Sequence, residues 1–115
     1  MKELIEIRDR LRVFATERDW DQFHTPKNLA IALSVEAAEL LEHFQWLSPE
    51  EEGKLGREKL TEIRLELADV LLYLVRLADR LGIDLGAAAV EKIALNAQKY
   101  PVERAKGSAK KYTEL

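Results

Sequence analysis

The chain has 115 residues, 47% of them apolar and 34% charged, with a formal net charge of −3. Those proportions suit one globular domain built around one core, residues 1–115, rather than a disordered or fibrous chain. There is no cysteine, so disulfides and thiolate metal sites are excluded; the acidic balance offers no broad basic face for nucleic acid.

The first predicted helix covers about Lys2 to Glu17, with Leu4, Ile7, Leu11 and Phe14 as its buried stripe. Its start carries charges throughout and lacks the apolar centre of a signal peptide. No run nears the roughly 18 apolar residues of a membrane span, which points to a cytoplasmic enzyme or binding module. The segment ERDWDQFHTP then breaks the pattern, and Thr25 and Pro26 are suited to cap and open a second helix, about Pro26 to Trp46. Leu29, Ala32, Leu33, Ala37, Leu40, Leu41 and Phe44 are its expected core face. Ser48, Pro49 and the acids Glu50 to Glu52 read as a capped single turn. A third long helix spans about Arg57 to Leu81 and stops at Gly82. Asp84 caps a fourth, which ends near Tyr100 because Pro101 cannot continue it. Residues 101–115 form an irregular basic tail without periodicity. The predicted class is all-α, a four-helix-bundle-like arrangement with no strand. The stretch Leu65 to Ala78 is apolar around most of its circumference, more than a helix wet on one side requires. A homo-oligomer, dimer or higher, would cover it.

Four acids interrupt apolar runs. Glu36 and Glu39 lie in AIALSVEAAELL, and Glu66 and Asp69 lie in LELADVLLYL. Each pair is spaced i, i+3, so its two carboxylates leave the helix on one face, a turn apart. Partial burial of four anions costs several kcal/mol per ion, on the order of the known penalty for buried charges, unless something compensates. A cation bound only by oxygen would be a hard one, Mg²⁺ or Mn²⁺; the competing reading is four solvated acids pairing with Lys and Arg. A di-iron bundle would need Glu-x-x-His motifs. His43 is preceded at that spacing by Leu40, and His24 lies in a loop, so that centre is not expected.

A hard cation on carboxylates commonly serves phosphate. Lys92, Asn96 and Lys99 form one polar stripe of the fourth helix and could meet phosphate oxygens, or could simply be a wet face. Trp20, Phe23, His24 and Trp46 cluster at helix ends and in the loop before the second helix, where they could stack a nucleobase or plug the bundle end. Tyr73, one turn after Asp69, is placed to orient a sugar or phosphate.

On these residues the chain resembles the MazG-like all-α nucleoside triphosphate pyrophosphohydrolases, whose metal signature is ExxE, a spacer, then ExxD. Here that signature is Glu36-Ala-Ala-Glu39 and Glu66-Leu-Ala-Asp69. The blocks ERDWDQFHTPKNLAIAL, EHFQW, ELADVLLYLVRLA and KYPVERAKGSAKKYTEL resemble the dCTP pyrophosphatase branch in order and spacing. The resemblance implies Mg²⁺-dependent hydrolysis of a deoxynucleoside triphosphate between the α- and β-phosphates. It implies that Glu36, Glu39, Glu66 and Asp69 bind Mg²⁺ and that Trp20, His24, Trp46, Tyr73 and Asn96 contact the nucleotide. Lys92 fits a phosphate contact, a water held by Glu36 or Glu39 would be the nucleophile, and the protein would be a homodimer or tetramer. Relatives can place a histidine in the first helix on the base side where this chain has Leu11, which leaves the base open. The other readings are a related hydrolase for dUTP, a damaged nucleotide or phosphoribosyl-ATP, a nucleotide-binding module without turnover, and a purely structural helical oligomer.

Overall fold

The computed structural model describes residues 1–115. Four long helices carry the chain: α1 (Lys2–Glu17), α2 (Pro26–Glu42), α4 (Arg57–Arg80) and α5 (Leu85–Lys99). The short α3 (Pro49–Glu52) and α6 (Val102–Ala105) are single turns, a 3₁₀ turn covers Tyr112–Glu114, and no strand is present. Residues 1–83 and 84–115 form two compact units.

Local chemistry sets the boundaries. The Thr25 hydroxyl accepts from Asn28 N–H with Pro26 in the first turn. Ser48 and Glu51 close a reciprocal capping box on α3, and Asp84 accepts from Ala87 N–H at the start of α5. Each satisfies an amide the first turn would leave without a partner. α4 ends in a Schellman turn: Gly82 takes a left-handed φ of 69°, and Ile83 N–H donates back to Ala78 C=O at 2.9 Å. α1 ends the same way, with Asp19 in the left-handed position (φ 55°). Trp20 N–H then donates to Ala15 C=O at 2.9 Å. Short polar side chains tolerate that conformation, which otherwise favours glycine.

Two sequence expectations are corrected. α2 stops at Glu42 rather than Trp46. Beyond it Phe44 and Leu47 N–H bond to the carbonyls of Leu41 and Phe44, three residues back, so the helix tightens into turns and releases Trp46 to the surface. The core face of α2 is also narrower than expected, because Leu41 is exposed and only Leu29 is fully enclosed. In the first unit α4 is central, packed on both α2 and α1. The α2 residues turned inward fall at Leu29, Leu33, Glu36 and Leu40, which is one helical stripe. Those of α4 fall at Ile63, Glu66, Val70 and Tyr73. Glu36 and Glu66 therefore occupy core-facing positions in otherwise apolar rows.

The Leu65–Ala78 stretch is covered on one side only. Val75 and Ala78 are buried, while Leu65 and Leu67 are each more than half exposed. Phe14, expected in the stripe of α1, is likewise exposed. In the second unit the tail is not wholly irregular: Tyr112 meets Tyr100 edge-on at 6.1 Å and lies under the Lys99 ammonium at 5.0 Å. No helix is long and apolar enough to cross a membrane.

Candidate active site

The inward stripes of α2 and α4 bring Glu36, Glu39 and Glu66 together, each with a carboxylate oxygen within 4.8 Å of the others. The Oε2 atoms of Glu36 and Glu66 are buried and have no hydrogen-bond partner. No lysine or arginine forms an ion pair with any of the three. The Glu36 carboxyl is pushed up to about 7, first by burial, then by the close approach of the Glu39 and Glu66 carboxyls, then by the charges of Glu39 and Asp69. Converging carboxylates of this kind need a proton or a cation between them. Two buried oxygens without donors, within reach of a third carboxylate, could hold a metal ion.

Asp69 lies outside the three-carboxylate cluster but close enough for its charge to act on Glu36. It also lines an adjoining cavity of about 240 Å³ with Leu11, Phe14, Trp20, His24, Leu72, Tyr73 and Arg76. The Schellman turn at Asp19 swings Trp20 into this wall, edge-on to Phe14 at 5.7 Å and 6.0 Å from the His24 ring. Asp69, Tyr73 and Arg76 line it from α4 because i, i+4 and i+7 share a face. Leu11 stands in the same wall from α1.

The structure thus gathers Glu36, Glu39 and Glu66 in one cluster and Trp20, His24, Asp69 and Tyr73 around the cavity beside it. Trp46 is not part of that cavity; it is 86% exposed. Lys92 and Asn96 are exposed on α5 in the second unit. Sequence reasoning overlooked Arg76, which is only 5% exposed. Its Nη2 donates to Asp21 at 2.6 Å, its Nε donates to His24 Nδ1 at 3.1 Å, and its Nη1 lies 3.7 Å from Asp79. Asp79 also receives both an Nε and an Nη donor from Arg12, and that hydrogen bond holds its carboxyl below the usual range. The signal was there to find: Arg76 is the one charge inside LLYLVRLA, and Asp79 follows at i+3.

A model of the MazG-like family matches residues 31–115. The chain belongs to the MazG-like family. Among the relatives, dCTP pyrophosphatase 1 of Rattus norvegicus is 48% identical over 114 residues, covering 97% of this chain and 67% of that protein. The Homo sapiens dCTP pyrophosphatase 1 is 47% identical over 115 residues, with the same coverage. A crystal structure of a pyrophosphatase from Archaeoglobus fulgidus superposes with a TM-score of 0.80 at 44% identity, over 86% of this chain and 93% of that one. The family match spans both acidic pairs and all of α4, α5 and the tail.

Proposed function

We propose that this chain hydrolyses a deoxynucleoside triphosphate, dCTP or a base-modified dCTP foremost, to the monophosphate and pyrophosphate. The observation that carries the reading is the pair of buried, unpartnered carboxylate oxygens of Glu36 and Glu66, set beside a cavity walled by Trp20, His24 and Tyr73. Relatives that are 47–48% identical to it over 114–115 aligned residues are named dCTP pyrophosphatase 1.

Glu36, Glu39 and Glu66 would hold Mg²⁺, or Mn²⁺ in its place, with Asp69 as the fourth acid. The bound ion would supply positive charge to the phosphate oxygens as negative charge develops on them. Glu36 or Glu39 would accept a hydrogen bond from the attacking water and take its proton. Trp20 would stack the base and Tyr73 would orient the sugar or phosphate, which positions the α-phosphorus for in-line attack. We assign Lys92 and Asn96 to the phosphates and Trp46 to the base on the family resemblance. The half-exposed Leu65 and Leu67 of α4 and the exposed Val13 of α1 favour a homodimer or tetramer in solution, which light scattering measures directly.

The test is pyrophosphate release from the four dNTPs, dUTP and 5-methyl-dCTP, with and without Mg²⁺, in water enriched in ¹⁸O. Attack at the α-phosphorus places the label in the monophosphate. Label in the pyrophosphate, or no release from any nucleotide, overturns the reading. Tight binding of one nucleotide without release would favour the non-catalytic binding module.

A further inference from the structure

Arg76 donates a hydrogen bond to His24, a residue that lines the cavity. A guanidinium has five N–H donors and no acceptor, and it stays charged at any relevant pH. Arg76 donates Nη2 to Asp21 and lies beside Asp79, so its charge is matched by carboxylates on two sides. Its Nε donor goes to a neutral acceptor, His24 Nδ1 at 3.1 Å. Nδ1 must therefore carry a lone pair, and the proton of the neutral ring sits on Nε2.

The backbone that carries the ring is also held. Arg80 Nε donates to the His24 carbonyl at 3.1 Å, and His24 N–H donates to Trp20 C=O at 3.0 Å. An imidazolium would set an N–H against the Arg76 N–H. Burial, and after it the charge of Arg76, hold the His24 pKa below its usual value; Asp21 opposes them and Arg80 adds to them. Nε2 makes no hydrogen bond within the protein, and His24 lines the cavity beside Trp20 and Tyr73. At about 240 Å³ this cavity is smaller than the ~300–1,000 Å³ that encloses a drug-sized ligand. That size suits a single base-sized ring rather than a whole nucleotide.

We propose that Arg76 is a positioning residue that fixes His24 as the Nε2–H tautomer, so that the cavity takes the hydrogen-bond-accepting edge of a base, for a pyrimidine the edge carrying the 2-oxo group. This rests on the nucleotide reading above and sharpens it. A ring with only C–H on that edge leaves the Nε2–H donor unpaired, and a missing partner for a buried donor is penalised more heavily than a present one is rewarded. Leu11 and Phe14 are the residues α1 gives this lining, so α1 offers no polar group that could substitute.

The chain has two histidines, His24 and His43, so ¹⁵N-histidine labelling gives a spectrum that the His24→Gln variant assigns by subtraction. At pH 7.5, long-range ¹H–¹⁵N correlation of the native protein should show His24 neutral, with the proton on Nε2. Arg76→Lys keeps a cation for Asp21 and Asp79 but loses the Nε donor, and should give a mixture of tautomers while circular dichroism stays helical. Binding is measured by calorimetry with the α,β-methylene analogue of dCTP and with the corresponding analogue of the 2-aminopyridin-5-yl C-nucleoside, a neutral ring that keeps the amino group and ring nitrogen of cytosine but carries C–H in place of the 2-oxo group. The first should bind about tenfold more tightly to the native protein, the factor one such hydrogen bond is worth, and the difference should shrink in Arg76→Lys. An Nδ1–H tautomer or an imidazolium in the native protein overturns the inference, as does equal binding of the two analogues. Because neither readout requires hydrolysis, failure of the catalytic reading is scored separately by the pyrophosphate assay.

Discussion

Replacing Glu36 by Gln should stabilise the metal-free protein while destroying its response to metal. The Glu36 carboxyl titrates at about 7 in the folded chain against an ordinary 4.5. The folded state thus holds a proton that the unfolded chain releases between those values. With more protons bound in the native than in the unfolded state, stability falls as pH rises through that window and is flat above it. The full separation corresponds to a ceiling of about 3 kcal/mol at 1.36 kcal/mol per pH unit. Solvent reaching this half-buried group screens part of that, which leaves about 1–2 kcal/mol. The amide of Gln carries no charge, and its NH₂ can donate to the orphaned Oε2 of Glu66. Without metal at pH 8, Glu36→Gln should therefore raise the melting temperature by about 4–8 °C for a domain of this size. At pH 5 the gain should nearly vanish, since native Glu36 is then protonated. Saturating Mg²⁺ or Mn²⁺ should stabilise the native protein, because it binds only the folded form; it should leave the variant unmoved and inactive. Differential scanning calorimetry across pH and metal concentration reads all of this. If Glu36→Gln melts below the native protein at pH 8 without metal, or gains the same increment from Mg²⁺, the cluster is not a strained cation site and the argument fails.

The opposite sign is expected at Asp79, whose carboxyl is held low chiefly by its hydrogen bonds from Arg12. Its contribution to stability is present above the ordinary aspartate range and is lost as pH falls through its own lower value. Asp79→Asn should accordingly flatten the acid limb of the stability profile below about pH 4, as followed by circular dichroism. Leu29, 1% exposed and the one large side chain fully enclosed, should cost about 3 kcal/mol when truncated to Ala, read as a lower urea midpoint at unchanged slope. Trp20→Ala should weaken dCTP binding by about 1–3 kcal/mol, the worth of one stacked base, as a rise in KM. If Trp46→Ala has as large an effect, the exposed Trp46 contacts the base; an unchanged KM removes it from the nucleotide site.

How much could be read from the chain followed from what each feature depends on. Caps and breaks are local, so Thr25, Ser48, Asp84, Gly82 and Pro101 placed the helix starts and most stops to within a residue or two. The Schellman turn at Asp19 was illegible because its usual marker is glycine. Nothing local distinguishes an aspartate in the left-handed position from one that caps a turn, yet this turn is what brings Trp20 to the cavity wall. The acids were legible as a spacing but not as a cluster. An ExxE is equally good on a wet face, and only the packing of α2 against α4 puts Glu36 and Glu66 in the inward rows where their oxygens lose their water.

Arg76 lies at the far end of that scale. Its partners, Asp21 and His24, are 55 and 52 residues away in the chain, and no periodicity links them. A buried arginine is tolerable only where carboxylates meet it, and here Asp21 comes from the loop before α2, while Asp79 comes from the next turn of α4 and is itself tied to Arg12 of α1. The charges alternate from Arg12 to Asp79 to Arg76 to Asp21, so the guanidinium is neutralised without using Nε. That spare donor is what reaches His24. The same pairing that makes the buried charge affordable thus sets the proton on the histidine beside Trp20, which ties the stability of the first unit to the chemistry of its cavity.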